Sequence, residues 1–151
     1  MRNSKEQLEK SDFDSLLKTY PEFASLDFQF AQWLQFNKEY DAAFAQYQLA
    51  LQKTSRQNSD LQCDIQYQIG KMAILSETKL QYGLQNIQGY VNNCEIKRDM
   101  PSKQWATFRY GNLLALSGQK DEAQKLYADL SPTTDQELKG AFENAVKKLN
   151  E

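Results

Sequence analysis

Three stretches of this chain align on one another, and that internal repetition constrains the fold more than any other feature. They are Leu26 to Leu51 (LDFQFAQWLQFNKEYDAAFAQYQLAL), Ile65 to Tyr90 (IQYQIGKMAILSETKLQYGLQNIQGY) and Ala106 to Leu130 (ATFRYGNLLALSGQKDEAQKLYADL). Each opens on a large-then-small pair, Phe30-Ala31, Ile69-Gly70 or Tyr110-Gly111. Three residues after the small member comes an apolar one, Leu34, Ala73 or Leu114. A turn follows at Asn37-Lys38-Glu39, Ser76-Glu77-Thr78 or Ser117-Gly118-Gln119. A second run then carries Ala43, Tyr47 and Ala50; Gly83, Ile87 and Tyr90; or Ala123, Tyr127 and Leu130. Spacings of three and four are helical. A small residue on one helix lets its neighbour approach closely, and the large residues beside it interdigitate. The expectation is an all-α chain of three helix hairpins.

Composition agrees. Three prolines and six glycines in 151 residues leave little punctuation for short strands. Hydrophobic residues at 40% and charged residues at 25% describe a globular chain.

This pattern resembles the tetratricopeptide repeat family, over roughly residues 21 to 130. The third segment carries it best, with Tyr110-Gly111, the turn glycine Gly118 and the Ala123-Tyr127 spacing. The family's tryptophan is missing; Asp27, Gln66 and Thr107 stand in its place. The spacing from Ala31 to Gly70 to Gly111 is 39 and then 41 residues, against about 34 in the family. The second segment has one extra turn residue, and the added length is read as longer loops at 54–60 and 92–102. The resemblance implies a right-handed α-α superhelix, a solenoid of three hairpins at about 22–53, 60–92 and 101–130 in a single domain spanning 1–151. Flanking helices are expected at 4–20 and 134–150. Ser4 with Gln7 and Thr134 with Glu137 read as their capping boxes. On the family's register the N-terminal helix is either a cap or the second half of a repeat whose first half lies upstream.

The resemblance also implies a concave surface lined by the first helix of each hairpin. Facing it would be an aromatic ladder, Phe28, Tyr67 and Phe108, extended by Trp105. Beside it run the polar residues Gln32, Lys71 and Asn112, with Arg109 close by. Rigid aromatics among amide and cationic donors suit a peptide or protein partner. Some relatives hold a peptide's terminal carboxylate with such groups, which Lys71, Arg109 and Asn112 echo in part. The competing reading packs the aromatics between neighbouring first helices.

Other functions find less support. Histidine is absent, which removes the commonest general base and metal ligand. Two cysteines do not close a structural zinc site, and no glycine-rich phosphate loop occurs. No cofactor, metal or catalytic residue is expected. A net charge of −2 argues against nucleic acid, and no apolar run of about 20 residues argues for a membrane span. Cys63 and Cys94 fall at the same end of the second hairpin. They read either as a disulfide, which implies export, or as reduced fillers in a cytoplasmic protein. The leading expectation is a protein-interaction module. The alternative is an accessory or dimerisation domain of a larger enzyme or assembly, exported if the cysteines are bonded, with a homodimer as one form.

Overall fold

The computed structural model describes residues 8–54 and 59–151. Among these residues there are eight α-helices and no strand. They are α1 (Lys10–Thr19), α2 (Ala24–Phe36), α3 (Tyr40–Thr54), α4 (Ser59–Ser76), α5 (Leu80–Asn93), α6 (Lys103–Leu116), α7 (Lys120–Asp129) and α8 (Gln136–Leu149). The helices form two compact units, one running to Ile65 and the other Gln66–Glu151, so the boundary falls inside α4.

In the first unit α2 packs on α3, and α1 lies against α2. Phe13 of α1 is buried and stacks on Phe30 of α2, with ring centroids 5.0 Å apart. The Ser4–Gln7 capping box lies outside the described residues. Described helix begins at Lys10, where the Glu9 amide donates to the Asp12 carboxylate at 2.8 Å. In the second unit α6 packs on α5, α7 and α8.

Of the six aligned positions five are buried in all three segments, and the large member of the opening pair is buried as Phe30 and Ile69 but half-buried as Tyr110. The small residues sit where the helices cross. A Cβ on Gly111 would stand 2.6 Å from Cε1 of Tyr127, and one on Gly83 would stand 2.5 Å from Cβ of Ala73. Those contacts are possible only without a side chain. Tyr47, Ile87 and Tyr127 are essentially inaccessible. Each such side chain contributes on the order of 1.5–3 kcal/mol through removal of apolar surface from water.

The three turns share one backbone device. Lys38, Glu77 and Gly118 hold the same register position and all have positive φ, at 62°, 51° and 85°. In the first and third, the next amide reaches back five residues: Glu39 to the Leu34 carbonyl at 2.9 Å, Gln119 to that of Leu114 at 2.8 Å. This is the left-handed closure that satisfies the last carbonyls of a helix. The extra residue of the second turn, Lys79, is also left-handed, at φ 52°. Ahead of α6, the Tyr90 hydroxyl donates to the Pro101 carbonyl at 2.6 Å, and Ser102 caps the helix by accepting from the Trp105 amide.

The cap of α8 differs from expectation. Asp135, rather than Thr134, accepts from the Leu138 amide at 3.1 Å. The Trp105 indole N–H also donates to Asp135, at 2.9 Å, and the Asp135 amide donates to the Thr133 hydroxyl. The carboxylate accepts from both α8 and the Trp105 indole, and a charged acceptor at the cap is stronger than a hydroxyl.

Candidate functional site

The predicted site residues divide between the units. Phe28 and Gln32 belong to the first; Tyr67, Lys71, Trp105, Phe108, Arg109 and Asn112 belong to the second.

The three aromatics share a role inside their own hairpins. Phe28 tilts against Tyr47 at 5.9 Å, Tyr67 against Tyr90 at 5.2 Å and Phe108 against Tyr127 at 5.8 Å. Tyr67 and Phe108 are each only 6% exposed. These rings rest on the tyrosine of the second helix, a packing that neither sequence reading had in view. Gln32 is exposed and Lys71 half-buried.

The tyrosines in turn commit the amides. Tyr47 donates its hydroxyl to Oε1 of Gln35, and Tyr127 donates to Oδ1 of Asn112, both at 2.6 Å. Burial raises both phenols, and that of Tyr127 reaches a pKa of about 12. The Asn112 oxygen is therefore occupied, which leaves its NH₂ to donate.

One cluster of predicted residues does assemble, on α6. The Arg109 guanidinium lies 5.6 Å from the centre of the Trp105 ring and 5.8 Å from that of Phe108. Its Nε stands 3.5 Å from the Tyr67 hydroxyl. Trp105 meets Phe108 edge-on at 5.8 Å. The indole N–H is spent on Asp135, whose carboxyl is held below the usual carboxylate range by the Leu138 amide first and the indole second. Among the described residues no carboxylate pairs with Arg109. The two rings hold a cation whose terminal donors have no partner among the described residues.

Beside this cluster lies a trough of about 420 Å³, within the usual range for small binding sites. Phe108, Asn112, Ala115 and Leu116 form one wall, a single face of α6. Ala141, Asn144, Ala145, Lys148 and Leu149 form the other, a single face of α8. Ile74 and Tyr127 add apolar surface, and Lys120 stands at the end near Leu116. No acidic residue lines it.

The α8 wall was missed because this helix reads as a bland seal: its apolar face packs inward through Leu138 and Phe142. A second overlooked feature was available in the alignment. Five residues after each aligned small residue stand Phe36, Leu75 and Leu116, large apolar side chains that are 80%, 56% and 38% exposed.

Another buried group, Asp27, marks the first unit. It is 1% exposed, accepts from Nζ of Lys53 and from Nε2 of Gln46, both at 2.6 Å, and ties α2 to α3. Cys63 lies in α4 and Cys94 caps the end of α5; neither is a free thiol and both are disulfide-bonded. Among the described residues no helix is long and apolar enough to cross a membrane. Compared with known proteins, the chain matches no protein-family model, no curated protein and no solved structure.

Proposed function

We propose that the three hairpins are repeats of the tetratricopeptide kind and that the chain is a protein-binding module rather than an enzyme. The observation that carries this reading is the trough between α6 and α8, apolar along its walls and edged by uncommitted donors. Such a surface rewards burial of a partner's apolar side chains and orients them through polar contacts. Recurrence of the small-residue crossings and left-handed turns supports the repeat assignment.

The test is to fill the trough. Ala145→Trp adds a large ring to a half-buried position on its α8 wall. A photo-crosslinking residue at exposed Asn144 reports what docks there. The expected outcome is a partner crosslinked at 144 by the parent chain and lost on Ala145→Trp, with the melting temperature preserved. A native partner that binds both chains equally and never crosslinks at 144 overturns the reading.

Self-association is the second reading, and the 80% exposure of Phe36 favours it. Light scattering decides: a dimer that Phe36→Ser dissociates supports it, and a monomer at every concentration removes it.

A further inference from the structure

We infer that the occupant of the trough is an amphipathic helix with acidic residues at its ends, an inference that rests on the docking reading above. Three observations converge on this chemistry.

The first is length. The α6 wall runs from Phe108 to Leu116 and the α8 wall from Ala141 to Leu149, nine residues and eight helical steps in each case. At 1.5 Å per residue both walls are about 12 Å long. A helix with apolar residues at i, i+3, i+4 and i+7 presents a stripe about 10.5 Å long. The two lengths match. An extended strand would cover the same distance in about four residues, only half of which face one side.

The second is the shape of the walls. Ala115, Ala141 and Ala145 bring small side chains to the trough from both helices, while Leu116 and Leu149 are large. Alternating small and large side chains accept the ridges of a third helix.

The third is charge, and it selects the ends of the ligand. Lys120 and Lys148 are exposed at the end marked by Leu116 and Leu149. Arg109, one turn before Asn112 and next to the lining residue Phe108, is braced by Trp105 and Phe108 just outside the other end and pairs with no carboxylate among the described residues. Between them Asn112 has its oxygen engaged by Tyr127 and offers only N–H donors. Apart from the last turn, a helix has its own carbonyls engaged, so the charge-matched acceptors for cations at both ends are Asp or Glu side chains. Acidic groups flanking an apolar stripe satisfy both ends at once.

The experiment sorts a displayed library of random 16-residue peptides on the intact chain, then repeats the sort on Lys120→Glu/Lys148→Glu. Both lysines are exposed, so the double variant keeps the fold. The expected winners on the parent chain carry Leu, Ile or Phe at helical spacing with Asp or Glu at the flanks. As synthetic peptides they gain helicity on binding, lose at least tenfold in affinity when a central residue becomes proline, and lose at least tenfold on the double variant. The variant's own winners carry Lys or Arg at the flanks instead. Winners that are neutral or basic, that tolerate the proline, or that ignore the double substitution overturn the inference, as does a sort with no winner. Ala145→Trp separates this failure from that of the docking reading. If it still displaces such winners, the trough remains a docking site for a different ligand; if it leaves every winner bound, both fall.

Discussion

The hairpins α2–α3 and α6–α7 follow one plan with different parts. Both seat an aromatic of the first helix on a tyrosine of the second, and both tie that tyrosine's hydroxyl to an amide of the first helix. Four residues before the aligned small residue they diverge. The first hairpin places Asp27 there, buried and paired with Lys53 and Gln46. The third places Thr107, whose hydroxyl merely returns to the Lys103 carbonyl of its own helix. One hairpin thus carries a charged cross-link in addition to the shared tyrosine–amide hydrogen bond, and the other does not. A large effect follows. Asp27→Ala strands Lys53 and Gln46 without their acceptor, and it should cost roughly 2–3 kcal/mol in urea unfolding. That sits below the usual range for a broken buried pair because Lys53 is 29% exposed. Thr107→Val should stay within about 0.5 kcal/mol. Equal costs at the two sites would show that the ion pair is not what distinguishes the hairpins.

The shared tyrosine hydroxyls give the next effect, and it depends on pH. Burial raises both phenols, so the folded state keeps its protons where the unfolded chain loses them, above about pH 10. Stability is therefore fully present below about pH 10 and falls as pH rises toward the folded value, about 12 for Tyr127. The slope should approach about 1.4 kcal/mol per pH unit for each tyrosine. Tyr127→Phe should remove that contribution, at a cost of about 1 kcal/mol near neutrality for the hydrogen bond to Asn112. Denaturation followed from pH 8 to 12 checks both. A slope unchanged in Tyr127→Phe and in Tyr47→Phe would place the titration elsewhere.

The crossings differ too, Ala31 in one hairpin against Gly111 in the other. Gly111→Ala raises helix propensity but drives a methyl to 2.6 Å from a tyrosine ring held by its hydroxyl. Overpacking should win, with a net loss of about 1–2 kcal/mol. Ala31→Gly should lose about 1–2 kcal/mol, through helix propensity and the loss of a buried methyl. A stabilised Gly111→Ala would mean that the Tyr127 ring moves freely, and the two crossings would then be equivalent.

What was legible in the sequence tracks what repeats. The aligned small residues and the apolar residues three positions after them appear three times, so burial at those positions could be read from recurrence. Features that occur once left no such trace. Asp27 looked only like a missing tryptophan, because its partners lie 19 and 26 residues away and nothing local announces an ion pair. Asp135 took the cap from Thr134 because Trp105, 30 residues earlier in sequence, also reaches it. The aromatics were recognised, but their contact with the second-helix tyrosines was not: alignment gives the face of a helix, not which neighbour a ring settles on. For the trough, Phe108 and Asn112 were in view, whereas the α8 wall depends on how that helix docks.

The smallest contrast lies in the turns, where Lys38 and Gly118 hold the same left-handed position. A β-carbon there crowds the following carbonyl, at a cost on the order of 1 kcal/mol. Glycine escapes this but gives up more chain entropy on folding. The open space around Gly118 means that a methyl would meet no neighbour, so the backbone term stands alone. Gly118→Ala should therefore destabilise by about 1 kcal/mol. Lys38→Gly should stabilise by somewhat less, about 0.5 kcal/mol, because relief of strain is offset by the entropy of the new glycine. Since the Glu39 and Gln119 amides close both turns in the same way, the two substitutions should have opposite signs. The same sign in both would mean that Lys38 gains from its side chain what its backbone loses, and the turns would differ in kind rather than in residue.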